Sequence, residues 1–151
     1  QMSCIRIEPA TRAFYPVHAM ALLKDSGVSG NLALHFDWGL YAIWHLQPAI
    51  KISLDGRRET AYSPVVYAEN LRFRHGVGEW DTLLRRPETD MALVSKDFPV
   101  FNLMKLTRDW VLAHEDAGSG LFVRGGSPLL AALQRTSLRP LPPGGAGLCF
   151  P

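Results

Sequence analysis

Two short apolar runs that each end in an aspartate constrain the fold of this chain more than any other feature. Residues 32–36 lead to Asp37, residues 50–54 lead to Asp55, and the segment between them carries apolar residues at helical spacing. A strand–helix–strand unit makes its two strands parallel, so both carboxylates reach the same edge of the sheet. Because α/β proteins bind ligands at that edge, it is the expected position of a functional site.

The rest of the chain continues the alternation of strands and helices. Residues 91–94 predict a third parallel strand, and Asp97 follows it. Residues 110–114 and 121–123 are two apolar runs separated by a Gly-containing turn, which indicates a β-hairpin. We therefore predict an α/β fold: a three-layer sandwich with a short central parallel sheet, helices on both faces and an antiparallel edge hairpin.

Several detailed expectations concern helix ends and faces. Asp37 is placed to cap the helix that follows the first strand, and Asp97 to cap the helix that follows the third. Leu40, Ile43 and Trp44 stand at positions i, i+3 and i+4, which predicts that they form the buried face of the first crossover helix. The core is therefore the expected place of Trp44.

Composition divides the chain into three parts. Residues 1–13 are predicted to be an irregular N-terminal lead, and residues 14–124 the α/β domain. Residues 125–151 are predicted to form a C-terminal helix followed by a tail rich in proline and glycine, a composition typical of disorder. A chain of 151 residues is long enough for one domain with its own core.

Charge and cysteine content exclude some classes of function. The formal net charge is +2 and the arginines are scattered, so we expect no nucleic-acid partner. No segment approaches the roughly 20 apolar residues of a membrane-spanning helix. Cys4 and Cys149 have no zinc-site spacing, and two free thiols or a disulfide between them are both open interpretations. Because the chain begins with Gln1, we expect it to be part of a longer polypeptide.

The three strand-end aspartates allow two interpretations. Asp37, Asp55 and Asp97 would gather at one edge of a parallel sheet, where three carboxylates could bind Mg²⁺ together with water and phosphate. In the alternative interpretation Asp37 and Asp97 cap helices, and Asp55 forms an ion pair with Arg57. In that case the site needs no cofactor.

Basic and aromatic residues near the same edge are candidates for ligand binding. Arg57 and Arg58 could clamp a phosphate or a sugar carboxylate, because a guanidinium group matches two such oxygens at once. Trp38 and Tyr62 could stack on a sugar ring. With Asp37 and Asp55, these residues form the predicted ligand-binding set. His35 lies beside the strand end and could act as an acid–base group.

The motifs together resemble a known class of protein. They are the segments HFDWGLYAIWHL, KISLDGRRETAYSPVVYAENL, EWDTLLRRPETDMALVSKDFP and DWVLAHEDAGSGLFVR. This pattern, from about Tyr15 to Arg124, resembles the C-terminal soluble domain of bacterial polytopic membrane proteins of the protein mannosyltransferase and aminoarabinose transferase class. Leu40 stands where that pattern has a second glycine, and the tail after Gly125 has no counterpart.

The resemblance implies a function without a catalytic residue. Transfer chemistry in that class belongs to the membrane-embedded part, which acts on lipid-linked sugars and is absent here. We expect a non-catalytic accessory domain on the extracytoplasmic face of the bacterial cell membrane. It would contact the membrane-embedded part of the same polypeptide, and sugar or cell-envelope substrate. Two alternatives are a small metal-assisted phosphoryl or sugar-phosphate enzyme, and a protein-interaction module.

Overall fold

The computed structural model describes residues 5–6, 15–137 and 148–150. The rest of the predicted lead and of the Pro/Gly-rich tail lies outside the described residues. In chain order, the elements are β1 (Ile5–Arg6), α1 (Val17–Ser26), β2 (Gly30–Leu34), α2 (Gly39–Leu46), β3 (Ile50–Ile52), α3 (Arg58–Ala61), α4 (Pro64–His75), α5 (Thr82–Arg85), β4 (Met91–Ser95), α6 (Val100–Leu106), β5 (Trp110–Glu115), β6 (Ser119–Arg124), α7 (Pro128–Ser137) and β7 (Cys149–Phe150).

A five-stranded mixed sheet forms the centre of the fold, in the order β3-β2-β4-β6-β5. Strands β3, β2 and β4 are parallel, with Gly30 opposite Ile50 and Leu34 opposite Leu93. The hairpin β5–β6 joins this group antiparallel, because β6 pairs with β4. The predicted α/β class, its parallel centre and its antiparallel edge hairpin are confirmed.

Helices cover both faces of the sheet, as the alternation of side chains along each strand requires. In β4, Met91 and Leu93 face a core shared with α1, α2 and α7, while Ala92 and Val94 face a second core shared with α4, α5 and α6. All five residues of β4 are buried. A strand buried on both faces is typical of the centre of an α/β sandwich, where both faces are covered by helices.

Helix α2 presents a different face to the core from the predicted one. Tyr41 and His45 are buried, whereas Leu40 and Trp44 are 56% and 58% exposed. The expected core position of Trp44 is therefore wrong. A 3-10 turn at Phe36–Trp38, which apolar spacing does not reveal, precedes α2 and sets its rotation. Because α2 is apolar on most sides, i, i+3, i+4 spacing alone cannot select its buried face.

The two predicted aspartate caps are also wrong. The 3-10 turn begins after His35, and Asp37 lies within that turn instead of at its cap. Helix α6 begins after Pro99, and within the described part of the chain neither Asp97 nor another side chain caps it. Ser63, in contrast, caps α4 as its position before Pro64 indicates, because its hydroxyl accepts a hydrogen bond from the Val66 amide.

Described residues from the two ends of the chain pair with each other. Strands β1 and β7 form a two-stranded antiparallel sheet in which Arg6 lies opposite Cys149. Cys149 is disulfide-bonded, which contradicts the interpretation of two free thiols. Cys4, the other cysteine of the sequence, lies outside the described residues. Among the described residues, no helix has the length and hydrophobicity needed to cross a membrane.

Gly39 allows α2 to pack directly against the end of β3. A Cβ atom at position 39 would lie 2.5 Å from the Leu54 carbonyl oxygen and 2.7 Å from the Asp55 Cβ. The backbone at Gly39 is helical, with φ −60°, so space and not backbone conformation requires glycine there. The Asp37-Trp38-Gly39 and Asp55-Gly56-Arg57 segments are consequently one packing unit.

Replacing Gly39 with alanine should destabilise the protein by about 1–3 kcal/mol, the usual cost of overpacking. Gly56→Ala is the matched control, because its Cβ would lie 3.0 Å from the mobile Cδ1 atom of Leu40 and not against backbone. Urea unfolding of both variants measures the difference. Equal stabilities of Gly39→Ala and Gly56→Ala would contradict the proposed backbone contact.

Candidate functional site at the ends of the parallel strands

Asp55 is a fully buried carboxylate at the end of β3, and its side chain is saturated with hydrogen bonds. Oδ1 accepts from the Arg57 amide at 2.8 Å and from Arg57 Nε at 2.9 Å. Oδ2 accepts from Arg57 Nη2 at 2.7 Å and from the Tyr62 hydroxyl at 2.8 Å. A carboxylate has about four acceptor positions, so Asp55 has no free one.

These contacts keep Asp55 ionised. The hydrogen bond from the Arg57 guanidinium is the largest effect and lowers the pKa of Asp55 to about 2, although burial acts in the opposite direction. Burial raises the pKa of the Tyr62 hydroxyl, and the neighbouring Asp55 carboxylate raises it further. The predicted ion pair of Asp55 with Arg57 is therefore present, and Tyr62 completes it.

The Arg57 guanidinium is held in place but remains accessible. Its side chain is 58% exposed, while two of its nitrogens donate to the buried carboxylate. Guanidinium groups have five N–H donors, so donors remain on the solvent side of Arg57. Arg58 is the first residue of α3, and its side chain lies outside the described part of the structure.

A second group of side chains lies at the ends of β2 and β4. His35, directly after β2, is 6% exposed and packs between the rings of Trp38 and Phe98, with centroid distances of 4.1 and 5.9 Å. Arg74 of α4 stacks on Phe98 at 4.0 Å and donates to Asp37 Oδ2 at 3.1 Å. The same oxygen lies 3.6 Å from His35 Nδ1.

This second group leaves buried polar atoms without hydrogen bonds. Both ring nitrogens of His35, Oδ1 of Asn70 and Nε of Arg74 have no hydrogen-bond partner among the residues that the structure describes. Asn70 uses only its amide nitrogen, which donates to the Leu34 carbonyl oxygen at 2.8 Å. Burial lowers the pKa of His35 to about 4; Asp37 opposes this shift and Arg74 adds to it. His35 is consequently neutral at pH 7.

The structure divides the predicted ligand-binding set into separate groups. Asp55, Arg57 and Tyr62 form one cluster, and Asp37 belongs to the group around His35 and Arg74. Trp38 is 3% exposed, so its ring is part of the core and is not available for stacking on a sugar. Its burial within the 3-10 turn gives the predicted role of Trp38 as a sugar platform no support, and that role stays a prediction.

Sequence reasoning missed three contributors to this edge. Asn70 and Arg74 come from α4, and Phe98 comes from the turn between β4 and α6. Asn70 and Arg74 are four residues apart, a spacing that places both on one face of a helix. That spacing was the available signal, but it does not reveal that the face points toward the end of β2.

The alternative magnesium site at Asp37, Asp55 and Asp97 is not supported by the geometry. In the described part of the chain, no three His, Cys, Asp or Glu side chains are placed to hold a metal ion together. Asp55 has no free acceptor position, Asp37 binds Arg74, and Asp97 is exposed. Parallel strands brought the three residues to one edge, but their side chains engage different partners.

Comparison with known proteins adds no assignment. No protein-family profile matches the chain, and neither a curated protein nor a solved structure matches it significantly. The site is therefore described by its geometry alone. The buried Asp55 carboxylate holds the exposed Arg57 guanidinium, and the buried, neutral His35 belongs to the neighbouring group.

At pH 7, replacing Asp55 with asparagine should lower the free energy of unfolding by at least about 2 kcal/mol, because the fold lowers the pKa of the carboxyl group from 3.8 to about 2. A carboxyl group whose pKa is lowered by folding stabilises the fold fully at pH values above its unfolded-state pKa. That stabilisation is lost as the pH falls through the folded-state pKa. The difference between wild type and Asp55→Asn should therefore shrink between pH 5 and 2. Chemical unfolding across that range measures it, and a constant difference would contradict the ionised pair.

Acidification should also act through His35, in a higher pH range. Its pKa of about 4 in the folded state, against 6.5 unfolded, means that the unfolded state binds the proton first. Stability should fall by roughly 3 kcal/mol as the pH drops from 6.5 to 4. The His35→Phe variant keeps a ring between Trp38 and Phe98 and should show a clearly smaller fall. If wild type and His35→Phe lost stability equally as the pH falls, a residue other than His35 would be responsible.

Proposed function

We propose that this chain is a non-catalytic binding domain that acts outside the cytoplasm as an accessory part of a glycosyltransferase-like membrane protein. Its job is to contact the membrane-embedded part of the same polypeptide and an anionic sugar or cell-envelope substrate. The observation that carries the binding role is the Arg57 guanidinium, which Asp55 and Tyr62 orient and which remains 58% exposed.

The state of the strand-end carboxylates supports binding over catalysis. General acid–base chemistry needs a group whose pKa lies near the working pH and which can reach a substrate proton. Asp55 is buried, its pKa is lowered to about 2, and its acceptor positions are filled. The neutral His35 is enclosed by the rings of Trp38 and Phe98. Neither residue has the access that proton transfer to a bound substrate requires.

The disulfide supports a place outside the cytoplasm. Disulfides persist in oxidising compartments such as the bacterial periplasm and are rare in the cytosol. Cys149 is disulfide-bonded in strand β7, next to its partner strand β1. This agrees with the extracytoplasmic position that the sequence resemblance implies.

The oriented arginine supports an anionic ligand. An Arg held by a carboxylate on one side presents its remaining N–H donors in a fixed direction, which reduces the entropy lost when it binds phosphate or carboxylate oxygens. Tyr62 and the exposed Leu40 lie close to the same loop and add partly apolar surface. A phosphate-linked or acidic sugar has both kinds of group.

The proposal predicts binding without turnover. A polyprenyl-phosphate-linked sugar should bind to the isolated chain, and the chain should not transfer the sugar to an acceptor. Arg57→Lys should weaken binding about tenfold, because lysine keeps the charge but loses the guanidinium fork. Arg85→Lys is the matched control, since Arg85 is a comparably exposed arginine, at 56%, in a surface ion pair.

Calorimetry and product analysis give separate answers. Transfer of sugar by the isolated chain would overturn the non-catalytic role. Undetectable binding, or equal affinities for the Arg57→Lys and Arg85→Lys variants, would overturn the role of the oriented arginine. Circular dichroism spectra of both variants confirm that the comparison is made between folded proteins.

A further inference from the structure

The two strands from the ends of the chain are attached to the domain by few contacts. Strand β7 pairs with β1, and within the described residues neither strand belongs to the five-stranded sheet. Each strand has two residues, and a two-stranded ribbon is at best marginally stable by itself. Ile5 of β1 is 70% exposed, so it adds little buried area. Other contacts must therefore hold the ribbon of β1 and β7 on the domain.

One of these contacts is made by Leu148, directly before β7. Its side chain packs against the core that α1, α2 and α7 cover. Its backbone lies beside the hydroxyl of the buried Tyr41: burial raises the pKa of Tyr41, and the Leu148 backbone opposes that rise. The Tyr41 ring packs against Tyr15 and His45, with centroid distances of 5.2 and 4.7 Å. Leu148 therefore docks β7 on the aromatic group formed by Tyr15, Tyr41 and His45.

The second contact is the disulfide of Cys149. Cys149 is exposed, although its neighbour Leu148 is half-buried. A thiolate can reach an exposed disulfide without unfolding of the protein, and exposed disulfides are commonly the labile or regulatory ones. The covalent contact that holds the ribbon is therefore open to thiol exchange, while the apolar contact beside it is covered.

The disulfide contributes more to the docking of β7 than to the fold of the domain. A cross-link limits the conformations of the chain that it joins. Without it, one half-buried leucine and a two-residue ladder must offset the conformational entropy lost when β7 becomes ordered, and their contribution is small against that cost. The five-stranded sheet has longer ladders and two cores, and Leu148 is only a partly buried contact of one of them. Cleavage of the disulfide should therefore release β7 and leave the domain folded.

We propose that Leu148 and β7 form a redox-controlled strap over Tyr41. In the oxidised protein the disulfide of Cys149 keeps Leu148 docked on the aromatic group. After reduction by a dithiol the strap leaves, and this part of α2 opens to solvent. The proposal does not depend on the function proposed for Arg57.

Reduction of the strap is a thiol–disulfide exchange. A thiolate of the dithiol attacks one sulfur of the Cys149 disulfide, the S–S bond breaks, and the other cysteine sulfur leaves as a thiolate that takes a proton. The second thiol of the reductant then displaces the mixed disulfide, and its proton passes to the departing cysteine sulfur. Two electrons and two protons move in total, so the protein gains two thiols and the reductant becomes a disulfide.

The test adds dithiothreitol to the whole folded chain and follows its NMR signals. The Cβ signal of Cys149 reports cleavage, the Leu148 amide and the Tyr41 ring report the strap, and the Leu93 amide of β4 reports the domain. As Cys149 is reduced, the signals of Leu148 and Tyr41 should move with it, and the Leu148 amide should exchange with solvent at least about tenfold faster. Leu93 should keep its chemical shift and its protection from exchange.

Three results would overturn the proposal. The first is a disulfide that resists dithiothreitol until the whole domain unfolds, and the second is loss of the Leu93 protection when Cys149 is reduced. Either result would make the disulfide a staple of the fold. The third is reduction that leaves the signals of Leu148 and Tyr41 unchanged, because the strap would then stay docked without its cross-link.

A leucine substitution tests the coupling between docking and redox state. If Leu148 is docked only in the oxidised protein, its contact with the core must favour the disulfide by thermodynamic linkage. Leu148→Ala should therefore lower the ratio of reduced to oxidised dithiothreitol at half reduction by about fivefold. Leu106→Ala is the matched control at an 81% exposed position of α6, and it should leave that ratio unchanged. Equal ratios for the two variants would overturn the proposal, because Leu148 would then contact the core equally in both redox states.

Discussion

The buried charge of Asp55 is the constraint around which the rest of the strand-end architecture is arranged. A carboxylate withdrawn from water is tolerated only where strong hydrogen bonds replace its hydration. Arg57 and Tyr62 provide these bonds, and both come from the segment directly after β3. The loop that carries them is fixed in turn by the close approach of Gly39, which brings the start of α2 against Leu54 and Asp55.

This arrangement links stability to the presentation of a charged group. Asp55 gains its low pKa from Arg57, and Arg57 gains a fixed direction from Asp55, so the two roles cannot be separated by a change at either residue. On the neighbouring strand Asp37 is exposed, accepts a hydrogen bond from Arg74 and lies 3.6 Å from the neutral ring of His35. The parallel sheet therefore places Asp37 and Asp55 at equivalent strand ends, but only Asp55 is buried, so the two carboxylates form different contacts.

The sequence predicts the architecture well because its signals are repeated along the chain. The alternating apolar runs predict the parallel centre and the antiparallel hairpin, and the structure confirms both. The Asp55–Arg57 pair is also predictable, since two residues in a tight turn after a strand lie close together.

The sequence does not reveal how helix α2 is rotated or which residues from distant parts of the chain come into contact. The 3-10 turn at Phe36–Trp38 turns Trp38 inward and Trp44 outward, opposite to both expectations. Asn70, Arg74 and Phe98 reach the strand ends from distant parts of the chain, so only the packing of α4 and α6 places them there. The alternative metal site lacks support for the same reason: the three aspartates share a sheet edge, but their side chains do not converge.

The most direct test of this account is the titration of the Asp55 carboxyl group, followed by ¹³C NMR of the side chain in the folded protein. The account predicts a midpoint near pH 2, and a rise of that midpoint in the Tyr62→Phe variant, which lacks one of the four hydrogen bonds. A midpoint at or above the ordinary value of 3.8 would show that Asp55 is not held as a buried, saturated carboxylate, and the oriented arginine would lose its physical basis.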